Sequence, residues 1–455
     1  MTAWLTFPER RPGLSIALVG LLLALTYSAA LRWLPRSDGR IIAGDAVHYY
    51  VYLRSLVFDR DLQFLDDYTS IATGIPDEGH DGPEWLDERT STGHIRNMMS
   101  IGPALAWMPL FLLTCAFVAV GRTLGAAWPL DGLWWPFQAS TSYSGILAAT
   151  LAAWFMYRAG GRVASSRAAI WATLTMWLGT HALYYSLVSP QYSHAVSMFA
   201  ASVFLWRWLD TVGRTDLRRV AELGALGGLA ALMRWQDAVL LAAPAVELAW
   251  RLGERDRRWT FLAGRLAVCG GTAILCFAPQ LLAWQVLFGR PLLVPQGGQF
   301  MHWTDPALVA VLLSTWHGLF TWSPIVVLGL VGVGLYARRT PACGVALLAV
   351  FLLTWYANAA VADWWAGEAF GARRFMSVVP IFALGLAVVA DRVTSLRRLA
   401  AAATVLVVLN LLLLVQYQTF MKGRRDLAPY PKGAYNLFVA RFVVPFDLVR
   451  AWWAR

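Results

Sequence analysis

Apolar runs of about 20 residues recur along the chain and constrain its fold more than any other feature, because a bilayer core requires roughly that length of helix. Hydrophobic residues make up 58% of the sequence and charged residues only 14%, more apolar material than one water-soluble core of this length uses. The sequence therefore predicts an all-α, polytopic membrane protein. The runs cover residues 14–34, 101–120, 133–157, 168–188, 192–209, 220–233, 238–250, 261–288, 319–336, 342–361, 375–390 and 399–420.

Arginine clusters between the runs indicate the orientation, because positively charged loops stay in the cytoplasm. Arg10 and Arg11 precede the first run and place the N-terminus there. No small-residue cleavage site follows, so we interpret this run as an uncleaved span. The later clusters are assigned to the same side, which predicts about 11 transmembrane helices. Those clusters begin at Arg158, Arg207, Arg251, Arg338 and Arg392.

A long hydrophilic stretch follows the first run and should lie outside. Residues 38–97 carry twelve acidic residues against five arginines, although the whole chain has a net charge of +11. The runs 101–120 and 133–157 cannot both span, because Arg158 would then also lie outside. Pro103 and Pro109 interrupt the first of these, so we assign it to an interfacial or re-entrant helix on the outer side.

These assignments predict one transmembrane domain over residues 1–420, with an outer loop of juxtamembrane helices over 38–121. The hairpin 220–250 has short arms and could remain partly buried. Residues 421–455 form a basic tail, whose segment 438–453 is expected to rest on the headgroups as an amphipathic helix. The tail lies outside by this count, so either the positive-inside tendency is violated there or one span is miscounted.

Several functional classes find no support in the sequence. No Walker or dinucleotide-binding glycine pattern is present, which argues against nucleotide-driven pumping, and no nucleic-acid partner is expected. The four cysteines lie in apolar runs without metal-ligand spacing, so neither a zinc site nor a disulfide framework is expected. These cysteines are Cys115, Cys269, Cys276 and Cys343.

Asp45 opens the outer stretch and is the candidate catalytic residue. An amphipathic segment over 46–57 follows it, and a helix N-terminus keeps a carboxylate ionised. An ionised, partly desolvated aspartate suits a general base for a hydroxyl group. The alternative is that Asp45 only caps the helix. A divalent cation held by Asp45 and His48 is a further option, beside simple hydrogen bonding within the loop.

The order of short motifs resembles the GT-C class of membrane glycosyltransferases, which includes bacterial relatives of protein O-mannosyltransferases and the lipid A aminoarabinose transferase. The likeness extends over most of the chain from Asp45 to Pro380. It rests on the segments 44–49, 59–62, 66–68, 101–107, 179–180, 184–185, 192–195, 234–237, 317–324 and 365–375.

This resemblance implies a GT-C-like fold and sugar transfer outside the bacterial inner membrane. The donor would be a sugar linked to polyprenyl phosphate, the acceptor a hydroxyl of a glycan, lipid or protein, and Asp45 the base. Relatives often carry Asp-Glu at the start of this loop, whereas Ala46 follows Asp45. A second acidic role would therefore fall to Asp66, Asp67 or Glu368.

Other candidate substrate-binding residues fall on the same outer face. Arg373 and Arg374 offer planar guanidinium groups to a lipid-linked phosphate, although arginines there could also serve only as interfacial anchors, and Glu368 could pair with one of them. Arg234 and Asp237 either pair with each other or contact substrate. The remaining candidates are His48, Tyr49, His94 and His317.

The predicted reaction is an inverting transfer in which Asp45 accepts the acceptor's proton and the two adjacent arginines neutralise the departing polyprenyl phosphate. No cofactor is required by this scheme. One alternative is a membrane transporter or lipid-linked sugar flippase that uses Arg234 and Asp237 near mid-membrane. Another is an oligosaccharide polymerase or ligase, which shares the donor chemistry.

Overall fold

A computed structural model describes residues 2–33, 41–72, 88–255, 259–418 and 432–453. These residues form helices and connecting loops, with two isolated bridges, Arg89 to Ile95 and Met301 to Val361, in place of a sheet. The predicted all-α class is confirmed for this part of the chain. Six helices within it are long and apolar enough to cross a membrane, whereas the number of about 11 crossings stays a prediction. These six are Pro12–Arg32, Gly102–Thr123, Trp259–Phe288, Pro341–Ala359, Arg373–Ala390 and Leu396–Gln416.

The described residues form twenty α-helices, which follow one another in chain order. The first ten are α1 Thr2–Arg10, α2 Pro12–Trp33, α3 Ala46–Arg54, α4 Leu65–Ala72, α5 Gly102–Thr123, α6 Trp135–Gly160, α7 Ser166–Leu178, α8 Ala182–Leu187, α9 Ser193–Asp210 and α10 Leu217–Met233. The others are α11 Ala242–Arg255, α12 Trp259–Phe288, α13 Ala310–Leu313, α14 Leu319–Trp322, α15 Ile325–Arg339, α16 Pro341–Ala359, α17 Val379–Ala390, α18 Leu396–Gln416, α19 Lys432–Tyr435 and α20 Arg441–Trp453. Trp235–Leu241 and Arg373–Val378 are 3-10 helices, and Ser55–Asp59 and Asn436–Ala440 are π-helical.

Glycines let neighbouring helices pack with their backbones almost in contact. A Cβ added to Gly228 of α10 would lie 2.3 Å from the carbonyl oxygen of Ala273 in α12. Gly332 of α15 faces Gly385 of α17 in the same way. Small residues drive such packing in membranes because lipid supplies no hydrophobic force between helices. The larger apolar side chains can therefore point outward, where many are exposed.

The helix α5 is continuous, contrary to the interruption expected from its two prolines. Pro103 lies in the first turn, where a missing backbone N–H costs nothing. Pro109 lies within the helix without ending it. The side facing away from the protein is apolar and includes Leu113 and Phe117, each more than 60% exposed.

The first half of α5 packs against the end of α10 and the start of α6. At its start, a Cβ on Gly102 would lie 2.1 Å from the carbonyl oxygen of Leu232, where α10 ends. Further along, the Phe111 ring lies 5.4 Å from that of Phe137 in the first turn of α6. Because the end of α10 and the start of α6 are both assigned to the outer side, we retain the prediction that α5 lies along the outer membrane surface.

A buried ion pair fixes the opposite end of the bundle. Arg219 of α10 lies 2.6 Å from Glu247 of α11, and both side chains are almost fully buried. The indole of Trp208 donates a second hydrogen bond to the Glu247 carboxylate at 2.8 Å. The short hairpin over 220–250 is thus tied to α9.

The last helices turn back along α18. The side chain of Gln416, at the end of α18, donates to the carbonyl of Asn436 at 2.8 Å, and Arg441 reaches the carbonyl of Leu409, one to two turns earlier in α18, at 3.5 Å. The two segments are therefore antiparallel, and the position of the segment 438–453 on the headgroups stays a prediction. The tail residues 421–431 lie outside the described residues.

Candidate active site

A cavity of about 300 Å³ opens where α3, the start of α9 and the two 3-10 helices meet the loops after α12 and α16. Part of its wall is apolar, from Met99, Trp235, Phe300, Met301 and Trp303. The polar part unites residues from distant parts of the chain. Those polar residues include Asp45, Tyr49, His194, Arg234, Gln236, Asp363, Arg373 and Arg374.

Asp45 and Arg373 form an ion pair in this cavity. The Asp45 Oδ2 atom lies 2.7 Å from Arg373 Nη1, and their side chains are 32% and 13% exposed. Asp45 precedes α3, but its side chain makes no capping hydrogen bond. The capping alternative is therefore wrong, since the carboxylate faces the cavity arginine instead.

The pKa of Asp45 is lowered by its surroundings. Burial by itself would raise this pKa, but the positive charge of Arg373 and the charges of Arg234 and Arg374 outweigh that effect. Asp45 is consequently ionised at neutral pH. An ionised carboxylate that still contacts solvent can accept a proton from a bound hydroxyl group.

Gly44 sets the position of Asp45. Its φ of +58° lies in the left-handed region, which a glycine adopts without steric cost. A Cβ at this position would also lie 2.4 Å from the Tyr192 hydroxyl. The Tyr192 ring in turn lies 6.0 Å from the Arg373 guanidinium, so one tyrosine lies against Gly44, the residue before Asp45, and beside Arg373.

Arg374 is held by Asp363 on the loop after α16. Its Nη2 lies 2.7 Å from Asp363 Oδ1, and its Nη1 donates to the Asp363 carbonyl at 2.6 Å. Glu368 is exposed. The expected pairing of Glu368 with Arg373 or Arg374 is therefore wrong, because Asp45 and Asp363 occupy these positions.

Arg234 also faces the cavity, held by neutral partners. Its Nη1 donates to His194 Nδ1 at 2.7 Å and to Ser193 Oγ at 3.3 Å. Ser193 Oγ is also 2.9 Å from the Tyr49 hydroxyl. Asp237, which was expected to pair with Arg234, is buried and instead accepts a hydrogen bond from Ser197 Oγ at 2.6 Å.

His317 lies at a smaller adjoining cavity that Arg373 and Arg374 also line. Its backbone has a φ of +65°, and its Nδ1 lies 2.7 Å from the Trp365 carbonyl oxygen. Burial lowers the pKa of His317 to about 4, although the hydrogen bond to Trp365 opposes the shift. His317 is therefore neutral and braces the loop beside the arginines.

The other sequence candidates do not line the main cavity. His48 lies on α3, and its Nδ1 is 2.8 Å from the Tyr68 hydroxyl. His94 is hydrogen-bonded to Thr92 at 2.9 Å in an exposed loop. The structure thus does not bring these histidines together with Asp45 around the main cavity.

Asp66 and Asp67 belong to an acidic cluster with Asp59. Single carboxylate oxygens of the three lie within 4.8 Å of one another, as metal ligands would. The Arg54 guanidinium, however, lies 3.0, 3.5 and 2.6 Å from Asp59, Asp66 and Asp67 and supplies the positive charge itself. Burial raises the pKa of Asp67 to about 7, against the effect of the Arg54 hydrogen bond.

The structure gives no further support to a divalent cation held by Asp45 and His48. Among the residues described, no third ligand joins Asp45 and His48 in a metal-binding group.

Sequence reasoning did not single out His194, Ser193, Gln236 or Asp363. The first two lie in segment 192–195, which carried part of the resemblance, and Gln236 lies between two named candidates. Asp363 follows an apolar run directly, and an aspartate there was a usable signal for a partner of Arg374.

Comparisons with known proteins find a similar architecture among solved structures. No family model matches the chain, and no curated protein matches it. The apo oligosaccharyltransferase of Archaeoglobus fulgidus is similar, with a TM-score of 0.52 and 14% identity over 94% of this chain and 61% of that chain. The archaeal oligosaccharyltransferase AglB of the same organism, in complex with an inhibitory peptide and a dolichol-phosphate, has a TM-score of 0.49 and 13% identity over 95% and 54%.

At this identity the likeness to the apo enzyme shows the fold alone. It supports the GT-C fold class predicted from the sequence and a multi-pass membrane protein. The chain spans about three fifths of the length of that archaeal enzyme. The narrower kinship with O-mannosyltransferases and the aminoarabinose transferase stays a prediction.

Proposed function

We propose that this chain is a membrane glycosyltransferase that moves a sugar from a polyprenyl-phosphate-linked donor to an acceptor hydroxyl on the outer face of the bacterial inner membrane. The observation that carries the proposal is the 2.7 Å pair of Asp45 and Arg373 in a cavity that also holds Arg234 and Arg374. A candidate base and candidate phosphate ligands thus share one space. The acceptor is a glycan, a lipid or a protein.

The proposed reaction is a single displacement. The acceptor oxygen attacks the anomeric carbon while the Asp45 carboxylate takes its proton. The bond from that carbon to the phosphate oxygen breaks, and the polyprenyl phosphate leaves with the electron pair. Attack opposite the leaving group inverts the anomeric configuration. Arginines fixed at the site stabilise the departing charge, so no separate general acid is needed.

The Asp45–Arg373 contact implies an order for donor binding and acceptor activation in the catalytic cycle. In the free protein, Arg373 is occupied by the carboxylate that must act as base. A donor phosphate competes for the same guanidinium, and its binding releases Asp45 toward the acceptor. Donor binding before acceptor activation follows from this exchange.

The transporter alternative loses its structural basis. It relied on Arg234 and Asp237 acting together, yet these residues have different partners and only Arg234 lines the cavity. A polymerase or ligase uses the same donor chemistry. The size of the transferred glycan distinguishes it from a single-sugar transferase.

Asp45→Asn tests the proposal directly. The purified variant should still bind lipid donor, at least as tightly as the wild type because no carboxylate then competes for Arg373, but transfer should fall about 100- to 10,000-fold, since general-base catalysis contributes that factor. Asp66→Asn is a matched control, because Asp66 is exposed in the same outer loop and does not line the cavity. Transfer by Asp45→Asn at near the wild-type rate would refute the assignment.

A further inference from the structure

The smaller cavity beside the main one has room for a single oxygen atom. Its volume is about 10 Å³, and a cavity needs roughly 10–15 Å³ to hold one water molecule. His317, Arg373 and Arg374 line it, together with an apolar wall that includes Trp364 and Phe375. Because the two arginines also line the main cavity, this space lies within reach of one substituent on a ligand bound there.

The hydrogen bond between His317 and the backbone fixes which ring nitrogen carries the proton. Its Nδ1 lies 2.7 Å from the Trp365 carbonyl oxygen, which can only accept, so Nδ1 carries the hydrogen. Burial lowers the pKa of His317 to about 4, with a further contribution from the Arg373 charge, so the ring is neutral at pH 7. Its Nε2 atom is therefore an acceptor without a proton.

This Nε2 atom is available to a ligand. It accepts no hydrogen bond from the residues that the structure describes. It is also not enclosed in the core, as the Nε2 atom of His181 is. Since the guanidinium groups of Arg373 and Arg374 belong to the same cavity wall, the small cavity offers a hydrogen-bond acceptor beside charged donors.

The two loops that bound the cavity are held in an unusual backbone conformation. His317 has a φ of +65°, and Ala366, which follows Trp365, has a φ of +64°. A non-glycine residue in this region costs about 1–3 kcal/mol, and such residues cluster where a ligand is held. The hydrogen bond from His317 to Trp365 joins the two loops, so both strained residues fix the shape of this one cavity.

We propose that the small cavity is a subsite for one hydroxyl group of the transferred sugar, which donates its hydrogen to His317 Nε2 and accepts a hydrogen bond from Arg373. The inference rests on the proposed function and extends it from the phosphate to the sugar. A hydroxyl group both donates and accepts at one oxygen. The phosphate oxygens of a phosphodiester have no hydrogen to give to Nε2, so the phosphate stays in the main cavity.

The position of the cavity indicates which hydroxyl group it takes. The arginines proposed to hold the phosphate also line the small cavity, so the hydroxyl group must lie close to the phosphate. In an aldohexose linked to phosphate through its anomeric carbon, the closest hydroxyl group is the one at C2. A volume of about 10 Å³ leaves no room for the acetamido group that replaces it in N-acetylhexosamines. The donor sugar therefore has a free C2 hydroxyl group.

The competing explanation is that the cavity holds an ordered water molecule and that His317 only braces the loop. A brace would affect folding, or the affinity for every donor analogue equally. A hydroxyl subsite would affect only the analogues that carry the C2 hydroxyl group. The dependence of binding on that one group therefore separates the two roles.

The test compares four short-chain probes, which are the farnesyl phosphate esters of glucose, mannose and 2-deoxyglucose, and farnesyl methyl phosphate. Glucose and mannose share this 2-deoxy derivative, and all four probes have the same lipid chain and charge. Binding to the full-length protein in detergent is measured by quenching of intrinsic tryptophan fluorescence. The wild type should bind the better of the two hexose probes about 10- to 100-fold more tightly than the 2-deoxy probe, the range of a charged hydrogen bond.

His317→Asn removes the proposed acceptor and keeps the rest of the loop. Asparagine tolerates the left-handed region, and its amide can donate to the Trp365 carbonyl, but it has no atom at the position of Nε2. The preference for the hexose over the 2-deoxy probe should fall by about tenfold, because the hydroxyl group loses its acceptor. The affinities for the 2-deoxy and methyl probes should not change.

His302→Asn is a matched control, because His302 is exposed and lines neither cavity. It should keep the full preference for the hexose probe. Thermal unfolding of each variant confirms that it is folded.

An unchanged preference in His317→Asn, or equal weakening of all four probes, would overturn the inference. A wild type that binds neither hexose more tightly than the 2-deoxy probe would also overturn it. In each of these cases the proposed function stands if the phosphate probes bind more tightly than uncharged farnesol and Asp45→Asn loses transfer. If the wild type binds no phosphate probe better than farnesol, the proposed function fails, and this inference fails with it.

Discussion

Gly44→Ala should disable the site without removing any polar group from it. Alanine at a φ of +58° costs about 1–2 kcal/mol in backbone strain. The new Cβ would also lie 2.4 Å from the Tyr192 hydroxyl, whereas ordinary contacts begin near 3.4 Å. The backbone before Asp45 and the Tyr192 side chain must therefore separate by about 1 Å.

Neither side can move without disturbing the ion pair. The Tyr192 ring packs beside His194 at 6.1 Å between centroids and lies under Arg373, so a shift of the ring displaces the arginine. A shift of the backbone displaces Asp45 itself. A misplacement of 1 Å at a reacting group lowers rates by about 100-fold. We expect a loss of that size in transfer, with folding retained.

The assay is the initial rate of sugar transfer in reconstituted vesicles, with thermal unfolding as the folding control. Gly93→Ala is the matched variant, because Gly93 also has a positive φ in the outer loop but no atom lies within 4 Å of its added Cβ. Gly44→Ala combined with Tyr192→Phe should recover part of the rate, since the clashing oxygen is gone. Equal losses in the Gly44 and Gly93 variants, or a normal rate in Gly44→Ala, would refute this reasoning.

Two further predictions concern charge. Arg373→Gln should move the acid limb of the pH profile of kcat/KM for the donor, which reports the free enzyme, to higher pH. Burial raises the pKa of Asp45 and the Arg373 charge lowers it, so loss of that charge raises the pKa. Because the base is protonated as the pH falls through its pKa, activity is then lost at a higher pH. An unmoved acid limb would contradict the role of Asp45. Glu247→Gln should destabilise the protein by about 3–5 kcal/mol, since it leaves Arg219 buried without a counterion. Arg214→Gln breaks an exposed ion pair and should lower the free energy of unfolding by about 1 kcal/mol or less. Chemical unfolding measures both, and equal effects would show that burial of the pair is unimportant.

The sequence predicted the all-α class well because helices that cross a membrane require apolar runs of a recognisable length. It predicted less about where helices end. The run 168–188 is broken into α7 and α8 at residues 179–181. The carbonyls of Leu178 and Thr180, on either side of Gly179, accept hydrogen bonds from the Asn410 side chain of the distant helix α18. No pattern in the neighbouring sequence predicts such a distant partner.

The candidate site was also predicted only in part: its residues were found, but their partners were not. Asp45, Arg234, Arg373 and Arg374 were found from their placement on outer turns, and the structure brings all four to one cavity. Their partners were assigned by proximity in sequence, and those assignments failed for Arg234 with Asp237 and for Glu368 with the arginine pair. Pairing is decided by tertiary packing, since residues three to six positions apart can face different elements.

The separation of Asp45 and Arg373 along the chain has a consequence for biosynthesis. Asp45 comes directly before α3, early in the chain, and Arg373 belongs to a 3-10 helix that comes after α16. A nascent chain already anchored in the bilayer thus possesses its carboxylate long before the arginine is translated. Truncated or stalled translation products that lack the arginine should therefore be inactive in the transfer assay.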